Sequence, residues 1–510
     1  MAALAELSCA DLARRYRRGE LSPVEVARDC LARIDANAAL NAFLAVEPDG
    51  VLAAAGQSEA RWRAGDPLGP LDGVPASIKD NIWVKGLPTR RGSKTSDPTP
   101  ALADSPAVAR LREQGAVILG KTCMPEHGWI GVCHSPLTGI TRNPWNPEYT
   151  PGGSTGGGAV AALLGLGLIH LGTDGAGSLR IPAAFTGVFG MKPSFGRVPV
   201  HPALLLNVLS HQGPITRTVA DAALMLSAIA QPDARDMAAC NTPAPDFTAG
   251  LDDGVRGLRV AFSPRLGHVA TLDPEIEAAA RQAALVLQGQ GAVLEEADPP
   301  LARARELIRA MWWPVATAIV DAVPPARRAE MDPGLLAIAE RGRRFAVADY
   351  LAAYAARAEL HNAMLQFHAR YDLLLTPTMP VTALKVARAM PERGDFGDDW
   401  LDWSPYTYPF NLTQQPAASV PSGLARNGLP MGVQIAGALR ADHLVLRAAW
   451  VIEQALPAHS GLRNSCKTNN ADRASRIEAA RIACNEVRGQ EKRREYPPHE
   501  RSGAFRQCGG

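Results

Sequence analysis

The sequence predicts an α/β protein built around a mixed or parallel β-sheet. Short apolar runs rich in Val, Ile and Leu alternate with longer segments of helical periodicity along most of the 510 residues. Such alternation is typical of layered α/β folds. Hydrophobic residues make up 46% of the chain, which is enough to bury a sizeable core. No internal repeat interrupts this pattern.

The first part of the chain, residues 1–65, is predicted to be helical. Ser22 and Pro23 form a favourable helix start, because serine caps free N–H groups and proline suits the first turn. Apolar residues follow at helical spacing, at Val26, Cys30, Leu31 and Ile34. This spacing indicates an amphipathic helix within the segment.

The pattern changes at Leu71, beyond which short strands and helices alternate. Strands are predicted within residues 73–86, 116–122, 168–172, 258–264 and 371–378. Helices are predicted over residues 159–168, over a segment with Pro182 in its first turn, and over residues 274–291. The motifs that carry chemistry fall at about residues 71–200, which we therefore expect to form the catalytic core.

After about residue 457 the sequence becomes polar and rich in charge. Residues 458–510 contain few large apolar groups and cannot bury a core of their own. We expect them to form a disordered tail. Their KRRE run could contact nucleic acid, but a solvated tail is the favoured interpretation.

Composition argues against several classes of partner and cofactor. The net charge is +2 and basic residues are scattered, so no nucleic-acid partner is expected. The longest nearly apolar stretch, residues 159–171, is shorter than the roughly 20 residues that span a bilayer, so no membrane association is expected. The eight cysteines include no CxxC pair, which favours reduced thiols over disulfides or a zinc site. The chain begins without the apolar run of a signal peptide. We therefore expect a cytoplasmic protein without a metal.

Lysine usage makes Lys79 a candidate base. Lysine and arginine number 53 together, yet only eight are lysines, and five of these fall between residues 79 and 192. Arginine cannot release its proton, whereas burial lowers the pKa of a lysine and lets it act as a base. Lys79 follows Ile78 in an apolar segment that suits burial. An ion pair with the adjacent Asp80 is the alternative interpretation.

The Gly-rich loop Gly152–Gly158 contains the hydroxyl groups of Ser154 and Thr155. It lacks the GK[ST] ending of a phosphate loop. The proline-rich NPWNPEYTP precedes it, so the strand required by a dinucleotide fingerprint or a nucleophile elbow is missing. We therefore expect no cofactor. A formal G-x-S-x-G match leaves an α/β-hydrolase alternative, with Ser154 as nucleophile and a later histidine as base. Histidines beyond the loop include His361, His368 and His443.

A second glycine turn, Thr173–Ser178, follows the strand predicted at 168–172. Its small residues let the backbone turn sharply, so that successive N–H groups can point into one space. A nest of donors beside a serine is what an oxyanion hole requires. A plain tight turn is the alternative interpretation of this segment alone.

Four segments in this order resemble the amidase signature family. They are GVPASIKDN, then PGGSTGGG followed by GTDGAGSLRIPAAFTGVFGMKPSFGRVP, then PFNLTQQPAASVPSG, and finally GLPMGVQIAG. The resemblance covers roughly residues 1–457. It implies a single domain whose mixed, twisted central β-sheet is covered by helices on both faces.

The resemblance implies a Ser–cisSer–Lys triad. Ser178 would be the nucleophile, Ser154 a proton relay on a cis peptide bond, and Lys79 the ultimate base. The backbone N–H groups expected to hold the oxyanion belong to Gly175, Ala176 and Gly177. Supporting positions are Thr155, Asp174 and Arg180. The family commonly has glycine where this chain has Ala176, which requires backbone angles that an L-residue tolerates.

The implied activity is hydrolysis of C–N bonds in small or aryl amides through an acyl-enzyme on Ser178. Carbamates and esters are open alternatives as substrates, and a homodimer is compatible with the sequence. We expect substrate contacts from Met124, Trp129 and Gly153, with core packing as the alternative for the first two. Three other interpretations remain: the α/β-hydrolase above, an inactive scaffold, and the glutaminase subunit of a tRNA-dependent amidotransferase. The last ranks low because those subunits typically have Gln where this chain has Ile181.

Overall fold

The strands of the protein come from all parts of the chain. The computed structural model describes residues 4–205, 208–392 and 394–456. Within these ranges the strands are β1 (Phe43–Val46), β2 (Pro75–Lys79), β3 (Val117–Thr122), β4 (His134–Ser135), β5 (Gly139–Ile140), β6 (Ile169–Asp174), β7 (Phe189–Lys192), β8 (His211–Thr216), β9 (Arg259–Phe262), β10 (Val293–Glu296), β11 (Leu373–Pro377), β12 (Ala417–Leu424) and β13 (Pro430–Gly437).

Eleven of these strands form one mixed sheet in the order β1-β3-β2-β6-β8-β7-β12-β13-β11-β9-β10. Two parallel groups, β3-β2-β6 and β11-β9-β10, flank a central antiparallel group, and β1 pairs antiparallel with β3 at one edge. The short strands β4 and β5 pair only with each other. The α/β class with a mixed sheet is therefore confirmed.

Helices cover both faces of this sheet. They are α1 (Cys9–Arg17), α2 (Pro23–Ala36), α3 (Pro48–Ala64), α4 (Pro106–Glu113), α5 (Gly156–Leu164), α6 (Arg180–Thr186), α7 (Val219–Ile229), α8 (Pro274–Gly289), α9 (Ala304–Asp321), α10 (Pro333–Gly342), α11 (Val347–Arg370), α12 (Pro409–Leu412) and α13 (Asp442–Ala455). Strand β11 shows the two layers: Leu373 and Leu375 pack into the core under α7, α8 and α13, while Leu374 packs into the core under α9–α11. Alternate residues of a strand point to opposite faces, so both faces are buried.

The N-terminal part contains one element that the sequence did not indicate. Helix α2 begins where predicted, with Ser22 accepting a hydrogen bond from the Val24 N–H. Residues 43–46, expected to be helical, instead form the edge strand β1 beside β3. The run FLAV is short, so its local periodicity does not distinguish the two states, and the exposed edge of β3 provides the pairing partner.

The sequence predicted reduced cysteines and no helix that spans a membrane. The cysteines within the described ranges are all unpaired. None of the helices there is long and apolar enough to cross a bilayer. The predicted tail, residues 458–510, lies outside the described residues.

Candidate active site

Lys79 lies at the carboxyl end of strand β2, next to the same end of β6. The two strands are parallel neighbours, with Ser77 opposite His170 and Ile78 opposite Leu171. The ends of parallel strands meet at one edge of the sheet, which is where α/β proteins commonly place their sites. This register brings the Lys79 side chain to Thr173, near the end of β6.

The amino group of Lys79 is buried among hydroxyl groups. Its Nζ donates to Ser154 Oγ at 2.7 Å, Thr173 Oγ1 at 2.8 Å and Thr155 Oγ1 at 3.1 Å. Lys79 is 0% exposed, and no carboxylate within the described residues forms an ion pair with it. Burial lowers the pKa of Lys79 to about 7, although the charge of Asp174 opposes this shift. A substantial neutral fraction is therefore present near neutral pH.

Asp80, the acid next to Lys79 in the sequence, is engaged elsewhere. Its carboxylate lies 3.8 Å from the ammonium group of Lys121, on β3, and accepts the Arg90 and Gly92 N–H groups. The alternative interpretation of Lys79, an ion pair with Asp80, is therefore not borne out by the structure.

Ser154 lies on the first glycine loop, just before helix α5. The Gly153–Ser154 peptide bond is cis. Helix α5 begins inside the glycines, at Gly156, earlier than the apolar run predicted. Close packing explains the glycine at 157, because an added Cβ would overlap the carbonyl oxygen of Ala42. The loop is thereby pressed against the sheet edge, with Ser154 facing Lys79.

Ser178 lies on the second glycine turn, just before α6. Its carbonyl accepts a hydrogen bond from the Thr155 N–H at 3.1 Å, which ties the two glycine loops together. Ser154 and Ser178 both line one cavity of about 400 Å³. Lys79, Ser154 and Ser178, predicted from three separate segments, are therefore brought to one place.

Asp174 and Arg180 form a buried ion pair behind the second glycine turn. Arg180 Nε and Nη2 donate to the two carboxylate oxygens of Asp174 at 3.0 and 2.9 Å. The remaining guanidinium protons go to Thr407 O, Asn411 Oδ1 and Gln434 Oε1. Burial alone would raise the pKa of Asp174, but the charge and hydrogen bonds of Arg180 hold it well below its usual range. This ion pair shapes the turn, and the Asp174 carboxylate stays ionised.

Some amide groups of the second turn donate to Asp174, and others have no acceptor in the described chain. The Gly177 N–H donates to Asp174 Oδ1 at 2.7 Å, which corrects the expectation that this group faces the cavity. No hydrogen bond within the described chain occupies the N–H groups of Gly175, Ala176 or Ser178. Ala176 does not have a positive φ, so its methyl group is compatible with the turn. Three free donors remain around Ser178.

The cavity beside the two serines is lined by both polar and apolar residues. Polar residues on its lining include Asn81, Arg91, Thr95, Ser96 and His127. Apolar residues on its lining include Leu204, Leu205, Trp312, Val315, Ile319 and Val323. Helix α9 supplies three of these six, Trp312, Val315 and Ile319. This lining suits an amide that has an apolar group.

Three residues predicted to contact substrate are not among the described residues that line this cavity. Trp129 packs its ring against Gly334 of α10, where an added Cβ would overlap it. Met124 is 1% exposed, beneath Gly128. Gly153 lies against the backbone of Val132. These side chains and this backbone belong to the packed layer below the cavity, which corrects the sequence expectation.

Several cavity residues were not predicted from the sequence. Arg91 and His127 both have positive φ, at 52° and 51°. Burial lowers the pKa of His127 to about 4, so its imidazole is neutral at pH 7. Asn81 donates to Thr173 Oγ1 at 3.0 Å, beside Lys79. Its position two residues after Lys79 was the one signal that could have identified Asn81.

The histidine-based alternative lacks the contacts it needs. Ser154 bonds to Lys79, as described above. His361 and His368 each hydrogen-bond a backbone carbonyl, of Thr413 and Tyr371 respectively. Among the described residues that line the cavity containing Ser154, neither of these histidines nor His443 is present.

Comparisons with known proteins agree on one family. The model of the Amidase family matches residues 25–446. The chain is 37% identical to an acylamidase of Rhodococcus erythropolis, over 88% of this chain and 96% of that protein. It is 34% identical to a subunit of the glutamyl-tRNA(Gln) amidotransferase of Geobacter metallireducens, over 90% and 99% of the two chains. Among solved structures, a bacterial aryl acylamidase superposes with a TM-score of 0.82 at 30% identity, covering 88% and 96% of the two chains.

Proposed function

The chain belongs to the amidase signature family and hydrolyses amide C–N bonds, and on that premise we propose that Ser178 is its nucleophile. Ser154 relays protons to and from Lys79. The substrates are small or aryl amides. The protein acts as a free-standing cytoplasmic enzyme, without nucleic acid, membrane or cofactor.

The proposed reaction begins with neutral Lys79. Its lone pair accepts the proton of Ser154, and Ser154 accepts the proton of Ser178. Ser178 Oγ then attacks the amide carbonyl carbon, and the carbonyl oxygen gains negative charge. The free N–H groups of Gly175, Ala176 and Ser178 are the donors available to this oxygen, each contributing about 3 kcal/mol in the transition state.

Collapse of the tetrahedral intermediate breaks the C–N bond and leaves an acyl-enzyme on Ser178. Ser154 passes a proton to the leaving amine and regains one from Lys79. Water then attacks the acyl carbon and releases the carboxylic acid. Protons and charge balance over the cycle without a metal or redox group.

One observation carries this proposal: the Lys79 amino group is buried, has no carboxylate partner in the described chain, and lies 2.7 Å from Ser154. A lysine in such surroundings loses its proton easily, and the lost proton has a direct route through Ser154. The contact with a serine hydroxyl is what distinguishes Lys79, because Lys192 is equally buried without an ion pair in the described chain but bonds only backbone carbonyls.

The substrate class follows from the cavity and the relatives. Trp312 and Val315 offer an apolar surface that suits an aryl or alkyl group. The relatives named as acylamidase and aryl acylamidase support amides with such groups. Carbamates and esters present the same carbonyl to Ser178, so we propose both as further substrates.

Steady-state hydrolysis of a matched anilide, aryl carbamate and aryl ester tests the proposal. We expect wild type to cleave the anilide, and Ser178→Ala and Lys79→Ala to lose that activity. Ser105→Ala is a matched control, because the Ser105 hydroxyl is buried without a partner and lies outside the cavity. Activity that survives both active-site substitutions would refute the triad. The kcat/KM values on the carbamate and the ester, compared with that on the anilide, show which of the three bonds the enzyme cleaves fastest.

A second candidate function is glutamine hydrolysis for a tRNA-dependent partner. The identity to the Geobacter amidotransferase chain favours it. Against it, Ile181 occupies the position where such glutaminase subunits typically have Gln, and it is 1% exposed. Ammonia release from glutamine by the isolated chain, faster than anilide cleavage, would favour this candidate. Light scattering would separate a monomer from the homodimer that the sequence permits.

A further inference from the structure

Arg91 brings a positive charge to the wall of the active-site cavity, with the carboxylate of Asp80 near enough to act on its pKa but not in ion-pair contact with it. Among the described residues that line the cavity, Arg91 is the one with a permanent charge, and no Asp, Glu or Lys is present. Its guanidinium group forms no ion pair and no hydrogen bond with the described chain. His127, the other basic group there, is neutral at pH 7. The guanidinium donors of Arg91 are therefore available to a ligand in the cavity, within the described part of the chain.

The backbone holds Arg91 in this position. The Asp80 carboxylate accepts the N–H groups of Arg90 at 3.1 Å and Gly92 at 3.0 Å. The Asp80 carbonyl accepts the Arg91 N–H at 3.3 Å. Gly92 has φ of 64°, and an added Cβ would lie 2.6 Å from the Met124 carbonyl oxygen. This turn is anchored on the residue that follows Lys79, so the placement of Arg91 is coupled to that of the proposed base.

The backbone of Arg91 is linked to Ser154 through two neighbouring residues, His127 and Gly128. The His127 N–H donates to the Arg91 carbonyl at 2.8 Å. The next residue, Gly128, lies against Ser154, because an added Cβ would be 3.1 Å from Ser154 Oγ. Gly175, on the second glycine turn, lies against the ring of Trp312, which is 3.2 Å from an added Cβ. Arg91 is thus joined to the proton relay, and Trp312 to the turn that carries the free amide donors.

We propose that Arg91 selects amides whose leaving amine carries a carboxylate. The inference rests on the proposed function, in which Ser154 hands a proton to the leaving amine and so marks the amine side of the cavity. The planar guanidinium fork binds a carboxylate with two parallel hydrogen bonds. The favoured substrates are then N-acylated amino acids and aminobenzoates, with the acyl chain against Trp312. Hydrolysis releases a fatty or aryl acid and an amine that keeps its carboxylate.

Two anilides of equal shape test this selection. In para-(hexanoylamino)benzoate the leaving amine carries a carboxylate, and in para-(hexanoylamino)acetophenone an uncharged acetyl group takes its place. We expect wild type to have the higher kcat/KM on the benzoate. Arg91→Gln should lower the benzoate-to-acetophenone ratio about 10- to 100-fold, the range of a charge-assisted hydrogen bond, mainly through KM. Arg91→Lys should keep part of the ratio, because it keeps the charge and loses the fork.

The neighbouring arginine provides the matched control. Arg90 lies on the same turn but does not line the cavity, so Arg90→Gln should leave the ratio as in wild type. An equal ratio in wild type and Arg91→Gln would overturn the proposal. In a second pair, the glutaryl anilide carries a carboxylate on its acyl side and the 5-oxohexanoyl anilide carries an uncharged ketone there. If Arg91→Gln changes the kcat/KM ratio of this second pair but not that of the first, the placement of Arg91 on the amine side is wrong. Failure of the proposed function is seen separately, as amine release by Ser178→Ala from both substrates.

Discussion

Lys79 and Arg180 are two buried cations of the same site with opposite surroundings. Both are 0% exposed, and both contact the end of strand β6. Arg180 bonds to the carboxylate of Asp174 and has a partner for every guanidinium proton. Lys79 contacts the adjacent residue, Thr173, and finds only hydroxyl and carbonyl oxygens. The two cations therefore differ in one kind of contact: Arg180 bonds to a carboxylate, and Lys79 does not.

This difference explains how two neighbouring buried cations can have different roles, Arg180 in holding the structure and Lys79 as the proposed base. A buried charge with a paired, hydrogen-bonded partner stays charged, and removing one member leaves an uncompensated ion. A buried amine without such a partner is stabilised in its neutral form. Two consecutive residues of β6 therefore give the two cations different surroundings. Asp174 forms the ion pair with Arg180 that holds the turn in place. Thr173 offers Lys79 only a hydroxyl and a carbonyl oxygen, so Lys79 can exchange a proton.

The largest expected effect comes from removing the amine. Lys79→Met keeps the length and bulk of the side chain but cannot accept a proton. We expect kcat/KM on an anilide to fall about 10⁴-fold, the upper range of general base catalysis. The free energy of unfolding should change by no more than about 2 kcal/mol, because no charged partner is left unpaired. Steady-state kinetics and denaturant unfolding measure the two quantities on the same protein.

Lys79→Arg provides the control for charge. It keeps a cation at the site but cannot deprotonate, so activity should stay at the level of Lys79→Met. Recovery of activity in Lys79→Arg would contradict the role of Lys79 as a base and make it a structural cation like Arg180.

Removing the other cation should mainly cost stability. Arg180→Met leaves the Asp174 carboxylate buried without its cation, and we expect the free energy of unfolding to fall by about 3–5 kcal/mol. Activity should fall as well, since Asp174 also accepts the Gly177 N–H of the turn. Denaturant titration measures the loss. Asp174→Asn combined with Arg180→Met should recover part of it, because no unpaired charge remains; an equal or larger loss in the double variant would refute the uncompensated charge as the cause.

The sequence predicted the outline of the fold but not the centre of its sheet. Strands β2, β3, β6, β9 and β11 have apolar, β-branched runs, and each was expected. Strand β8, with the sequence HQGPIT, and strand β12, with Pro421 inside it, have no strand pattern. Gly and Pro normally argue against a central strand. Pairing with neighbouring strands compensates for this weak local preference, and no local pattern reports such pairing.

For the site, residues with unusual chemistry were easier to predict than those that shape the cavity. Lysine is scarce in this chain and hydroxyl groups flank its glycine turns, so the Lys79, Ser154 and Ser178 positions have a local signal. Arginine is common here, and whether Arg91 reaches the cavity depends on the positive-φ turn that holds it. Trp129 shows the reverse case: its apolar character suited a pocket and a core equally well, and only packing against α10 decides between them.

The pH dependence sharpens the contrast between the two cations. Burial lowers the pKa of Lys79 to about 7, and the proposed base is the neutral form, so activity is present above that pKa and lost below it. We expect kcat/KM on an uncharged anilide to fall about tenfold per pH unit below about pH 7 and to be level above it. The ion pair of Arg180 with Asp174 takes no part in the proposed proton route. An activity profile that is level down to about pH 5, with the protein still folded by circular dichroism, would contradict a titrating lysine.

The smallest expected effect tests the hydroxyl shell around Lys79. Thr155 Oγ1 accepts from Lys79 Nζ at 3.1 Å and donates to the Thr173 carbonyl at 3.2 Å. Thr155→Val keeps the shape and removes one acceptor that favours the protonated amine, so the acid limb of kcat/KM should move to lower pH by up to about one unit. The rate above the limb should fall about 2- to 10-fold, because Lys79 is held by one hydrogen bond fewer. Thr155→Ser restores the hydroxyl and should restore both values. If Thr155→Val leaves the limb in place, burial alone sets the pKa of Lys79, and the hydroxyl groups only orient its amine toward Ser154.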